Sequence, residues 1–202
     1  MRFKTHYENA SKDKGFTLVE LVVVLAIFII VIDVAVTIFI SMISHQKRIL
    51  EEQEFINQAS YAMEYMSKSL RVAAKDNDGI CLQGYPGYIY LLPAARYNAQ
   101  DGFYEGVKFL TEDGACKEFF LDSSGLLKEA RNQDTPQNIL SGKFTVKEAR
   151  FIANGDKTLN GASGIGSIQP RLTILLKIET NIGQTLQEKI IQTTISDINL
   201  NL

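Results

Sequence analysis

Apolar and polar positions along this chain fall into three regimes. From Leu21 to Ile40 only Asp33 and Thr37 are not apolar, and neither Gly nor Pro occurs. A helix rises about 1.5 Å per residue, so this run spans about 30 Å, the thickness of a bilayer's hydrocarbon core. In lipid such a backbone satisfies its own hydrogen bonds only as a helix. The run predicts a membrane-spanning helix. Over residues 45–74 the pattern turns amphipathic, again without Gly or Pro. Phe55, Ala59, Ala62, Met66, Leu70 and Ala73 recur at steps of three and four, with Ile56 and Met63 widening the stripe. Glu51, Glu54, Gln58, Lys68 and Lys75 take the opposite side. Such a stripe predicts core packing. One helix from Phe16 to Ala74 would be roughly 88 Å long, stopped by the turn residues Asp76-Asn77-Asp78-Gly79.

Beyond Gly79 the period changes to two. Tyr88-Ile89-Tyr90-Leu91-Leu92 reads as a strand, and residues 103–110 and 115–121 read as a hairpin across Glu112-Asp113-Gly114. Residues 143–152 form another candidate strand. Leu172, Ile174, Leu176 and Ile178 alternate with Arg171, Thr173, Leu175, Lys177 and Glu179, and the chain turns at Asn181-Ile182-Gly183. Residues 185–195 return as the antiparallel partner. The Gly-rich stretch 153–167 reads as a long exposed loop, where partner contacts concentrate. The expected fold class is α+β. A long N-terminal helix, transmembrane in its first half, packs on an antiparallel β-sheet.

Charge sets the topology. Residues 1–15 carry Arg2, Lys4, Lys12 and Lys14 against Glu8 and Asp13, a net +2. Flanking cations stay cytoplasmic, so the N-terminus is expected inside and the C-terminal domain outside. No Ala-x-Ala-like site follows the apolar run, so ordinary signal cleavage downstream is not expected. The expected organisation is a cytoplasmic leader over 1–15, a transmembrane helix over 16–44, its amphipathic continuation over 45–75, and a β-rich extracytoplasmic domain over 76–202. The whole chain carries −2. Without its basic leader that becomes −4, which offers nucleic acid no broad cationic surface.

Candidate chemistry is sparse. Cys81 and Cys116 both fall in the outer domain, where a disulfide persists; a bond between them and two buried free thiols both explain the count. Asp76-Asn77-Asp78-Gly79 is acidic but lacks the spacing and distal Glu of a full calcium loop. His6 and His45 are the only histidines, one in the leader and one at the membrane boundary. Neither can join a Ser or Cys inside the outer domain. Gly161-Ala162-Ser163-Gly164-Ile165-Gly166 has neither the helix nor the Lys of a phosphate-cradling loop. No enzyme activity, catalytic residue, cofactor or metal is expected. Glu20 is the unusual residue: an acid entering an apolar helix costs on the order of 2.5–3.5 kcal/mol, less near the interface.

Lys14-Gly15-Phe16-Thr17-Leu18-Val19-Glu20, ahead of an apolar helix and behind a short basic leader, resembles the prepilin signal of type IV pilins and pseudopilins. The resemblance implies cutting by a prepilin peptidase between Gly15 and Phe16, N-methylation of Phe16, and a type IV pilin-like fold. It also implies that Glu20 pairs with the N-terminal ammonium of a neighbouring subunit and sets their axial register, since a buried charge tolerates apolar packing only when partnered. Residues 62–73, closing on Leu70-Arg71-Val72-Ala73, are similar to the helix end of minor pilins and pseudopilins of the J or W type. Pro170-Arg171-Leu172-Thr173-Ile174 and Ile191-Gln192-Thr193-Thr194-Ile195-Ser196 look like that group's closing hairpin; Asp197-Ile198-Asn199 stands where such proteins end the strand with Arg. The partners implied are other pilin or pseudopilin subunits, the prepilin peptidase, an assembly-platform membrane protein and the lipid bilayer. The expected role is a structural minor subunit of a type IV pilus or type II secretion pseudopilus. A ligand-binding adhesin or DNA-uptake module is the alternative class, and an uncleaved anchored domain a third.

Overall fold

The computed structural model describes residues 15–132, 134–155, 169–183 and 185–196. The leader up to Lys14, the Gly161 to Gly166 stretch and Asp197-Ile198-Asn199 lie outside these residues. Helix α1 runs Leu18–Arg71. Eleven strands follow among the described residues: β1 Ala73–Ala74, β2 Tyr90–Leu91, β3 Tyr97–Asn98, β4 Phe103–Tyr104, β5 Gly106–Thr111 and β6 Cys116–Leu121, then β7 Leu127–Arg131, β8 Gln137–Asn138, β9 Thr145–Asn154, β10 Arg171–Ile182 and β11 Thr185–Ser196. The chain divides into two compact units, one ending at Lys47 and one beginning at Arg48.

In the second unit the stripe behaves as expected. Phe55, Ala59, Ala62, Met66 and Leu70 are the buried residues of α1, while Ile56 is exposed. They enter one core with Phe109 and Phe119 from one sheet and Phe151, Leu172, Ile174 and Leu176 from another. The architecture is thus a long N-terminal helix packed on antiparallel sheets, an α+β fold. There are two sheets, however, where the alternation suggested one. A six-stranded sheet runs β1-β5-β6-β7-β8 with β2 beside β5, and a five-stranded sheet runs β11-β10-β9-β4-β3.

Three boundaries differ from expectation, each through tertiary pairing. The helix stops at Arg71 because Ala73 and Ala74 join Thr111 and Leu110 as a strand, so residues 72–75 do not continue the helix. The Tyr90 hydroxyl donates to the Leu70 carbonyl at 2.6 Å, satisfying one of the acceptors a helix end leaves open. The expected strand 103–110 is two strands in different sheets: Phe103 and Tyr104 pair with Asn98 and Tyr97, and Gly106 begins β5. Gly106 is needed there, since a Cβ would come within 2.9 Å of Arg96 and 3.1 Å of the Phe119 carbonyl. Strand 88–92 shrinks to Tyr90–Leu91. The last hairpin follows its alternation closely, pairing Leu172 with Ile195 and Leu176 with Ile191 through to Ile182 with Thr185.

Phe55 is 0% exposed and stacks on Phe144 with ring centroids 5.5 Å apart. Phe55→Ala empties that site beside rings and sheet that cannot fully collapse, so a loss of about 3–5 kcal/mol is expected. Urea unfolding of the intact chain measures it. A loss under about 1 kcal/mol, within the range of ordinary surface substitutions, would contradict this packing.

Candidate processing and assembly segment

Gly15, Phe16 and Thr17 precede the helix in non-helical conformation. A Cβ on Gly15 would meet nothing within 4 Å, so the fold itself makes no demand for glycine there. Thr17 caps α1: its Oγ1 accepts the Glu20 N–H at 3.3 Å, and its carbonyl accepts the Leu21 N–H at 3.2 Å. Thr17-Leu18-Val19-Glu20 is the Ser/Thr-x-x-Glu pattern of a capping box, a signal that consecutive residues carry by themselves. Glu20 therefore has a local reason for its place. It sits in the first turn, where the positive end of the helix dipole favours a carboxylate.

Apart from Asp33 and Thr37, the run from Leu21 to Ile40 is apolar on every side. Its long apolar window has no buried residue, and Phe16 is 77% exposed. A core helix of a globular domain would be covered; this one is not. Two of its hydroxyls are bonded within the helix: Thr37 donates to the Asp33 carbonyl at 2.9 Å and Ser44 to the Ile40 carbonyl at 3.0 Å. The carboxylates of Glu20 and Asp33 have no cation partner among the described residues. The two are thirteen positions apart, about 20 Å along the axis.

In the unit beginning at Arg48, Cys81 and Cys116 are joined as a disulfide, with Cα atoms 5.4 Å apart at a sequence separation of 35. Around it the loop after the helix is closed by its own backbone. Asp76 and Tyr88 form a bridge, Gly84 donates to the Gly79 carbonyl at 2.7 Å, and Gly87 to the Asp76 carbonyl at 2.6 Å. Asp76 is 3% exposed and its Oδ2 accepts the Leu82 N–H at 2.7 Å. The carboxylate considered for calcium is thus engaged in holding the loop. No group of three or more His, Cys, Asp or Glu among the described residues could hold a metal ion.

Elsewhere the acids serve local structure. Asp122 caps its own turn, accepting the Ser124 and Leu126 N–H groups at 2.9 Å each, and pairs with Lys128 at 2.6 Å. The Lys128 ammonium holds this carboxyl below its ordinary range, aided by those backbone donors. Glu51 accepts the Gly183 N–H at 3.2 Å and Glu52 meets Lys189 at 3.8 Å, tying the polar side of α1 to the closing hairpin.

Neither a curated protein nor a solved structure is matched by this chain. Residues 10–32 match a family model described as the prokaryotic N-terminal methylation motif. The match takes in Gly15, Phe16, Thr17 and Glu20, hence the cap, the acid and the first turns of α1. Together with the uncovered apolar helix it points to membrane anchoring, and it supports a type IV pilin-like prepilin signal at the start of this chain.

Proposed function

We propose that this chain is a structural pilin-like subunit rather than an enzyme. A prepilin peptidase cuts between Gly15 and Phe16, the new Phe16 amine is methylated, and residues 16–44 hold the protein in the cytoplasmic membrane. The N-terminus lies inside and the β-rich domain outside. Pulled from the bilayer by an assembly platform, the helix joins those of sister subunits, and Glu20 meets a neighbour's N-terminal ammonium. The chain serves as a minor, priming or tip subunit of the J or W kind in a type IV pilus or type II secretion pseudopilus.

One observation carries this reading. An uncovered apolar helix bears an acid in its first turn, directly behind a methylation-motif leader whose Gly15 the fold does not need. Anchoring alone gains nothing from that acid beyond a cap; assembly gains an ion pair from it. The test is recovery in filaments. The chain is co-expressed with the other subunits and an active or inactivated prepilin peptidase, and sheared filaments are probed for it. It is expected in filaments only with active peptidase. Its absence from filaments in both samples would overturn the assembly role.

A further inference from the structure

Where α1 passes β7 and β8 two hollows adjoin. The larger, about 760 Å³, is lined by Tyr65, Glu129, Arg131 and Gln137 among others. The smaller, about 200 Å³, shares Tyr65, Glu129 and Gln137 and adds Tyr61, Asn138 and Ile139. Together they form an open groove within the size range of small-ligand sites.

Most of the charges around this groove are already matched. Lys117 Nζ lies 2.7 Å from Glu129, and both side chains are mostly covered, at 14% and 15% exposure. The Tyr65 hydroxyl donates to the second Glu129 oxygen. Burial and that bond raise the Tyr65 hydroxyl above its ordinary range, so it remains a donor. Arg131 pairs with Asp113 at 2.5 Å. Among these groups Asp134 is the one acid without a cation partner among the described residues. An anion would have to draw Lys117 from its covered pair with Glu129 or Arg131 from Asp113, while a cation would find only the exposed Asp134, a contact worth little.

What the groove offers instead is neutral. Tyr61 is 59% exposed, and its ring lies stacked on Tyr65 with centroids 6.1 Å apart and planes 16° from parallel. The outer ring thereby presents an exposed apolar face. Gln137 and Asn138 place two amides, each donor and acceptor, on the edge strand beside it. Gln137 is oriented by its own bond to the Thr135 carbonyl at 3.2 Å. A ring with one C–H-rich face and a rim of hydroxyls complements such a surface. We propose that this groove binds a neutral saccharide, with Tyr61 stacking on the sugar ring and Gln137 and Asn138 bonding its hydroxyls. The inference rests on the groove's lining alone and stands whether or not the chain assembles.

The test uses the full chain in lipid nanodiscs free of sugar detergent. Neutral oligosaccharides of glucose, galactose and N-acetylglucosamine, and sialylated oligosaccharides, are titrated separately by saturation-transfer NMR. At least one neutral probe is expected to bind, with affinity falling about tenfold in Tyr61→Ala, the loss of roughly one stacking contact. Tyr61→Phe should keep the affinity, and Gln137→Ala should lose about five- to tenfold, one hydrogen bond. Tyr61 and Gln137 are exposed, so these variants are expected to fold. The proposal is overturned if no neutral probe binds at about 10 mM, a free energy too small to matter. It is equally overturned if only sialylated probes bind, or if Tyr61→Ala and Gln137→Ala leave binding unchanged.

Discussion

Glu20→Gln is expected to empty filaments of this subunit as thoroughly as Glu20→Ala. The pair of variants separates the two roles open to the residue. Thr17 and Glu20 stand in capping-box spacing, with the Glu20 N–H already bonded to Thr17 Oγ1 at 3.3 Å. Gln serves at that position of a capping box as Glu does. Were local capping the whole reason for the acid, Gln would act as wild type and Ala would cost only about 1 kcal/mol of helix stability. Pairing with a neighbouring ammonium needs the charge. Removing one member of a buried ion pair costs about 3–5 kcal/mol, a factor of at least about 100 in incorporation. Both variants should still insert in the membrane, since each removes an insertion cost. Quantifying the subunit in sheared filaments against the membrane pool reads the difference. Filament levels of Glu20→Gln within about threefold of wild type, well under 1 kcal/mol, would assign Glu20 to the cap alone.

The disulfide should be the largest single contributor to the stability of the β-rich unit after the core aromatics. Cys81 and Cys116 close a loop of 35 positions that takes in the later part of the loop after the helix and strands β2 to β5. Constraining a loop of that length in the unfolded chain is worth about 4 kcal/mol on the chain-entropy model. The bond also pins a segment with little else beneath it, for Cys81, Leu82 and Leu91 make a small cluster separate from the main core. The double variant Cys81→Ala, Cys116→Ala is expected to lower the thermal midpoint by about 8–16 °C. Dithiothreitol should do the same to the wild type and nothing to the variant. Unchanged midpoints in both would show the bond to be dispensable.

Much of this fold was readable from the residues because its two clearest signals are periodic. The lipid-length run gives one helix whatever lies around it, and the stripe from Phe55 to Leu70 names the buried face. The alternation from Leu172 to Ile178 likewise names the face of β10 that enters the core. Pairing choices were not readable. The segment Leu127–Arg131 shows no alternation of apolar and polar residues and is rich in helix-forming Lys, Glu and Ala, yet it lies as a strand beside β6. Val72-Ala73-Ala74 reads as more helix until Thr111 and Leu110 claim it. The run from Phe103 to Leu110 reads as one strand, and nothing in it says that its two halves belong to different sheets. The groove was equally hidden, because Tyr65 and Glu129 are 64 positions apart in the chain. The prepilin-type segment was legible for the opposite reason, since its chemistry lies in consecutive residues.

The most direct measurement is the intact mass of the membrane-extracted protein, expressed with and without a prepilin peptidase. The account predicts a chain beginning at methylated Phe16 only when the peptidase is present. A chain that keeps Met1 to Gly15 in both samples would contradict it, leaving a β-rich domain on an apolar helix without the proposed route into a filament.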